Sequence, residues 1–325
     1  MGDGLKVAVT RRIPSVGLRM LREEFEVVLH DSDKAPGRET LLRLMSDADG
    51  AVTLLSDAID GALLDACPRL RIVANHAVGY ENVDVEAATA RGIVVTNTPG
   101  VLTDATADLT MALMLAAARR IVEADRFMRV GKYEGWDPRM LRGMDLAGRT
   151  LGIFGFGRIG RAVARRAAAF GMEIIYTDTA ASPEAAQQCG ARRVEFDELL
   201  RQSDVLTVHS PYLPELHQRF GAAEFAAMKP TALFLNTARG KLMDEAALAA
   251  ALRARQIAAA GLDVYEDEPA FRPELAAMDN VVLLPHIGSA TWGTRDAMAE
   301  LAARNVIEVL HTRPPLTPVN EVGKS

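Results

Sequence analysis

Cysteine is scarce in this chain. Cys67 and Cys189 are its two, far apart and without CxxC spacing. That favours two free thiols in a reducing compartment over a disulfide. A basic excess is also missing, since the formal net charge is -6. Nucleic acid and anionic membrane are therefore not expected as partners, and an anionic substrate needs locally placed arginines. No apolar run is long enough for a bilayer; the longest apolar helix candidate, residues 109–118, falls well short. The N-terminus, MGDGLKVAVT, lacks the basic and apolar stretches of a signal peptide and the Ser or Thr of a myristoylation motif. The cytoplasm is the expected location. No repeat of solenoid period occurs, and no metal site is expected.

What is present is a chain of 325 residues, 49% hydrophobic and 25% charged, which suits two domains of ordinary size. Short β-branched runs at residues 6–10, 26–29, 50–55, 71–74 and 93–96 read as strands. Helical patterns lie between them at 16–24, 38–46, 60–66 and 85–90. Strand and helix alternate, as in a small open α/β domain. One long helical pattern, about residues 104–130, follows; it suits a buried inter-domain helix and also a subunit interface. Six more strand candidates come after it, at 150–154, 173–176, 205–208, 232–236, 258–262 and 281–284. A helix over 296–310 and a Pro-rich tail without strong periodicity close the chain. That helix could pack back on the first domain and make it discontinuous.

The turn GFGRIG, Gly155 to Gly160, lies between the strand TLGIF and an alanine-rich helical pattern. Gly155 permits the tight turn, Gly157 a close approach of backbone to pyrophosphate, and Gly160 close helix–strand packing. The phosphates then meet the positive end of the helix. The next strand ends in Asp178, a carboxylate able to accept both ribose hydroxyls of NAD and to repel the additional phosphate of NADP. No arginine stands directly beside Asp178 in the sequence, so NAD is favoured over NADP.

Three further motifs follow candidate strands: NTARG with Arg239, DVYEDEP with Glu268, and PHIGSAT with His286. Each residue alone has an ordinary structural explanation: a salt bridge, a solvated acidic turn, a packed loop. Together, at successive strand ends, they match what a hydride-transfer enzyme acting on a hydroxy acid needs. An arginine holds a carboxylate through its bidentate fork. A histidine exchanges a proton with the substrate oxygen, and a carboxylate beside a histidine favours its protonated form and fixes its ring.

At this point the chain resembles the D-isomer-specific 2-hydroxyacid dehydrogenases over almost its full length. The resemblance rests on VGYENVDVEAATARGIVVTNTPG, GRTLGIFGFGRIG, LNTARG, DVYEDEP and LLPHIGSAT. It implies an α/β architecture: a Rossmann-type dinucleotide domain over residues 101–289 and a discontinuous flavodoxin-like substrate domain of residues 1–100 with 290–325. It implies that Arg239 binds the substrate carboxylate, helped by the backbone N–H groups of Val78 and Gly79, and that Glu268 pairs with the acid/base His286. The dinucleotide would be held by Thr106, Gly155, Gly157, Arg158, Ile159, Gly160, Asp178, Ala238, Asp263 and Gly288, with Asp263 at the nicotinamide amide. It also implies a homodimer joined through the nucleotide domains.

Within that family, residues 97–109 and the GWDP segment at 135–138 resemble glyoxylate and hydroxypyruvate reductases. The expected reaction is NAD(H)-dependent reduction of glyoxylate or hydroxypyruvate to glycolate or D-glycerate. Alternatives are another D-2-hydroxy acid, such as 3-phosphoglycerate, and a dinucleotide-sensing corepressor; retention of Arg239, Glu268 and His286 argues for the enzyme. Glu268 stands where formate dehydrogenases carry glutamine, which argues against formate. Departures from the commonest family pattern are His76 in the substrate loop, Tyr212 and Leu213 after a strand end, and Trp292 after the histidine loop. Each is a candidate for substrate contact and also for local packing.

Overall fold

The structure, a computed structural model, describes residues 4–180 and 182–322. It divides into two compact units, one ending at Leu102 and resuming at Ser289, the other running from Thr103 to Gly288.

The first unit is built on five parallel strands: β1 (Lys6–Val9), β2 (Glu26–Leu29), β3 (Gly50–Thr53), β4 (Ile72–Asn75) and β5 (Val94–Thr96). Their order is β2-β1-β3-β4-β5, the flavodoxin-like arrangement. Helices cover both faces, which is why the central strands read as continuous apolar runs. On one face Val7, Val9, Val52, Ile72 and Ala74 pack with Ala299, Ala302, Ala303 and Val306. Those four lie on the helix Trp292–Leu310, so the last helix does complete the first domain's core and makes that domain discontinuous. The opposite face carries Ala8, Ala51, Val73 and Val95 against Leu41, Met45, Leu63 and Leu64.

The Pro-rich tail has a definite place. Thr96 and Pro318 form an antiparallel bridge, and the Val319 N–H donates to the Val95 carbonyl at 2.8 Å. The Asn320 side chain adds bonds to Val95 N–H (2.7 Å) and to the Ile93 carbonyl (3.0 Å). The tail thus covers the otherwise open edge of β5. Proline suits such an edge because it lacks the N–H a central strand needs.

The second unit holds a seven-stranded parallel sheet: β6 (Thr150–Phe154), β7 (Glu173–Thr177), β8 (Arg192–Arg193), β9 (Val205–Val208), β10 (Leu233–Asn236), β11 (Ala259–Leu262) and β12 (Val281–Leu283). Its order is β12-β11-β10-β9-β6-β7-β8, so the chain reverses direction across the sheet between β6 and β9. The six expected strands are present. β8 was not anticipated, because two residues are too few to carry a periodic pattern.

The long helix expected over residues 104–130 is two helices. Thr103–Ala118 buries Ala107, Met111, Leu113 and Met114, whereas Ile121–Arg129 buries none of its side chains. They break at Arg120, whose φ of +55° is left-handed. The Ala118 carbonyl accepts the Met144 N–H at 2.8 Å instead of continuing a helical ladder. That bond comes from a distant segment, so sequence periodicity could not reveal the break.

Candidate active site

The strand-to-helix turn after β6 depends on its glycines. Gly155 has a φ of +92°, and a Cβ there would collide with the backbone of His209 and Ser210. A Cβ at Gly160 would overlap the Gly155 carbonyl, so the helix Arg158–Ala169 approaches the strand as closely as it does only because that residue is glycine. Above Gly157, in contrast, the space a Cβ would enter is open. The helix Arg158–Ala169 begins at this point, and the N–H groups of a helix's first turn have no acceptor within the helix itself.

Asp178 sits just past β7 and reaches back to this turn. One carboxylate oxygen accepts the Phe156 N–H at 2.6 Å; the other accepts the Ala180 N–H at 3.0 Å. Sequence reading missed its basic neighbour. Arg193, on β8, donates through Nη2 to the Asp178 carbonyl at 2.8 Å. Nothing near Asp178 in the sequence announces it, because the contact crosses between adjacent strands.

Arg239, Glu268 and His286 come together in this unit. Gly240 packs against the Tyr265 carbonyl so closely that a Cβ would overlap it, which draws the NTARG turn onto the DVYEDEP loop. Asn236 shapes the turn itself, donating to the Arg239 carbonyl at 2.8 Å and accepting the Ala238 N–H at 3.0 Å. Arg239 Nη1 donates to the Ala238 carbonyl at 2.6 Å.

The acidic loop is not simply solvated. Glu245, buried and absent from the sequence expectations, accepts the Glu266 N–H at 2.6 Å and the Arg272 N–H at 3.0 Å. Glu268 accepts the Tyr265 N–H through Oε1 at 3.0 Å and meets His286 Nδ1 through Oε2 at 2.7 Å. Burial acts to raise the Glu268 pKa, but the hydrogen bond and charge of His286, the Tyr265 N–H and the Arg239 charge outweigh it and hold it below the usual value. The Tyr265 hydroxyl donates to the Leu284 carbonyl at 2.8 Å and ties the two loops together. Burial pushes that phenol up to about 12.

His286 has a φ of +55°, a costly region for a non-glycine residue. Asp263 stabilises the loop beyond it. Its two oxygens accept the N–H groups of Ile287 at 2.7 Å and Gly288 at 2.8 Å. Burial pushes the Asp263 carboxyl up, opposed by the Ile287 N–H, the His286 charge and the Gly288 N–H. Thr106, from the helix Thr103–Ala118, lies against Gly288, so three residues expected at the dinucleotide converge at one place.

In the first unit, Val78 and Gly79 lie in the loop after β4. His76 does not open to solvent there. It is 5% exposed, and burial together with the Arg295 charge lowers its pKa to about 4. Trp292 does not pack on its helix but is 92% exposed. Tyr212 packs partly against the core and Leu213 is exposed. Among the described residues, no group of three or more His, Cys, Asp or Glu is placed to hold a metal ion, and no helix is long and apolar enough to cross a membrane.

A parallel sheet of this order, with a glycine turn after its first strand and an acidic residue after its second, defines a Rossmann-type dinucleotide-binding domain, here joined to a flavodoxin-like substrate domain. The profile of the D-isomer specific 2-hydroxyacid dehydrogenase NAD-binding domain matches residues 111–288. A glyoxylate reductase of Thermococcus onnurineus is 50% identical over 319 residues, 97% of this chain and 96% of the relative. Among solved structures, a protein from Thermus thermophilus superposes with a TM-score of 0.92 at 44% identity, covering 97% of this chain and all of that one. An NADPH-dependent glyoxylate/hydroxypyruvate reductase from Sinorhizobium meliloti, solved with NADP and malonate, gives 0.86 at 37% identity over 98% of this chain and 97% of its own. The chain belongs to the D-isomer-specific 2-hydroxyacid dehydrogenase family, and its fold and family make it an NAD-dependent dehydrogenase.

Proposed function

We propose that this enzyme reduces glyoxylate or hydroxypyruvate with NADH, giving glycolate or D-glycerate. The observation that carries this reading is the His286–Glu268 pair at 2.7 Å, within reach of the Arg239 charge. The relatives named glyoxylate reductase, about half identical over nearly the whole chain, support the small 2-oxo acid.

Bound NADH supplies the hydride for the 2-oxo carbon. Arg239 holds the substrate carboxylate through its guanidinium fork, and the N–H groups of Val78 and Gly79 are further donors to it. His286 donates a proton from Nε2 to the carbonyl oxygen, while Glu268 at Nδ1 fixes the ring and stabilises its charged form. In the oxidative direction His286 takes the proton back. Thr106, Ala238, Asp263 and Gly288 would hold the nicotinamide end, Gly155 to Gly160 the pyrophosphate and Asp178 the adenosine ribose.

Asp178 favours NADH, since a carboxylate repels a 2′-phosphate. Arg193 gives a specific reason to expect some NADPH use as well, because its guanidinium already stands at the Asp178 strand end. We also read the protein as a homodimer joined through the nucleotide unit. Ile121, Met128, Val130, Tyr133 and Trp136 are exposed in one stretch of that unit, Trp136 at 79%, and supply apolar surface for a second copy.

The decisive experiment is a kinetic panel of glyoxylate, hydroxypyruvate, pyruvate, phenylpyruvate and 3-phosphohydroxypyruvate, each with NADH and NADPH. The highest kcat/KM is expected for glyoxylate or hydroxypyruvate with NADH. Turnover confined to the phosphorylated acid would overturn the substrate reading.

A further inference from the structure

Three consecutive carbonyls in the loop after β4 are held by donors. The Ala77 carbonyl accepts the Thr98 N–H at 2.8 Å, the Val78 carbonyl accepts Asn97 Nδ2 at 2.7 Å, and the Gly79 carbonyl accepts Asn75 Nδ2 at 2.8 Å. In a planar trans peptide the N–H points opposite to the C=O. The N–H groups of Val78, Gly79 and Tyr80 are therefore turned away from these donors. Among the described residues no hydrogen bond takes them up.

The two asparagines are anchored differently. Asn75 is fully buried; its Oδ1 accepts the Thr53 hydroxyl at 3.0 Å, and Asn82 braces it at 3.1 Å. Asn97 is only partly buried, and its backbone is held by the C-terminal tail. The Thr317 hydroxyl donates to the Asn97 carbonyl at 2.6 Å. Thr317 is fixed in turn by Asn305, buried in the last helix, whose Oδ1 accepts the N–H groups of Leu316 at 2.9 Å and Thr317 at 3.1 Å and whose Nδ2 donates to the Thr317 hydroxyl at 2.9 Å.

Glycine at position 79 makes this arrangement consequential. A Val78–Gly79 peptide can rotate at low steric cost because glycine accepts either sign of φ. Rotation would put a carbonyl in place of the N–H on the side turned away from Asn97, turning an anion donor into an anion repellent. Among the described residues, the Asn97 amide is the one donor that holds the Val78 carbonyl and opposes that flip.

We propose that Asn97 is a positioning residue for the substrate carboxylate, kept in place by Thr317, so that the C-terminal tail forms part of the substrate-binding apparatus. The proposal rests on the reading that the Val78 and Gly79 N–H groups receive that carboxylate. Asn97 acts through its bond to the Val78 carbonyl, by deciding which face of one peptide is presented.

The test compares Asn97→Ala, Thr317→Val and a protein in which the Gly79 amide is replaced by a backbone ester, which deletes that N–H directly. KM for the 2-oxo acid should rise about tenfold in Asn97→Ala, the scale expected on weakening a hydrogen bond to a charged group, and by a smaller factor in Thr317→Val. In both, kcat should fall less than KM rises, and the Kd for NADH by fluorescence quenching should stay unchanged. A merely structural role would instead lower active-enzyme content and leave KM alone. If the ester raises KM while Asn97→Ala and Thr317→Val do not, the positioning role is overturned and the carboxylate reading stands. If the ester leaves KM unchanged, the carboxylate reading falls and this proposal with it. Should Asn97→Ala fail to fold, Thr317→Val, remote from the loop, decides the question by the same KM measurement.

Discussion

His286 Nδ1 lies 2.7 Å from Glu268 Oε2, and the second oxygen of Glu268 accepts the Tyr265 N–H at 3.0 Å. The carboxylate is thus committed on both sides, and the imidazole keeps Nε2 for the substrate. Replacing His286 by Ala should lower kcat by roughly 10²- to 10⁴-fold, the usual contribution of a general acid/base. NADH binding should persist. Retained turnover in that variant would remove the histidine from the chemistry.

Glu268→Gln keeps the shape of the pair and removes its charge. Without that charge the imidazole loses the carboxylate that fixes its ring, so kcat for reduction should fall while NADH binding persists. The stability effect is read from pH. Glu268 has a folded pKa below its unfolded value, so its contribution is present above the ordinary carboxylate range and is lost as pH falls through the lowered value. The difference in melting temperature between parent and Glu268→Gln should therefore shrink on acidification below about pH 4.5, near the reference glutamate value. A difference that grows there contradicts this account.

Asp178 and Arg193 set up a test of cofactor choice. Asp178→Ala removes the carboxylate that repels a 2′-phosphate while Arg193 remains. The ratio of kcat/KM for NADPH over NADH should rise by at least tenfold, and Arg193→Ala in the same background should reverse much of that gain. An unchanged ratio would show that Asp178 does not discriminate.

His76 is buried with a pKa lowered to about 4, the first cause being burial and the second the Arg295 charge. Unfolded, it takes up a proton near pH 6.5; folded, it resists until about pH 4. Stability should therefore decline as pH drops through that window. His76→Phe should flatten this part of the stability–pH curve measured by urea unfolding. An identical curve in parent and variant would rule His76 out as the acid-sensitive group.

Gly240→Ala would drive a Cβ into the Tyr265 carbonyl. The expected cost is about 1–3 kcal/mol, as for other overpacked sites, with a raised KM because Arg239 is the neighbouring residue. Thermal unfolding and steady-state kinetics on one preparation check both parts.

Legibility from sequence followed the range of the forces involved. Strand existence in both units was readable because burial on both faces makes parallel strands apolar throughout. The GFGRIG turn was readable because its glycines answer local steric demands. β8 was missed because two residues have no period, and with it went Arg193 beside Asp178. The break at Arg120 was missed because Met144, not a neighbour in sequence, takes the Ala118 carbonyl. Glu245, which frames the acidic loop from 21 residues away, left no local signal either.

The sequence by itself determined the class of fold, the glycine turn, and the kinds of side chain available: an arginine, a carboxylate and a histidine at successive strand ends. Only the tertiary structure decided that Glu268 faces His286, that Gly240 brings the Arg239 turn onto their loop, and that Asn97 donates to the Val78 carbonyl while Thr317 donates to Asn97. The division has one physical cause. Backbone conformation and apolar periodicity are set by near neighbours, whereas the hydrogen bonds that aim a functional group join residues that only folding brings together.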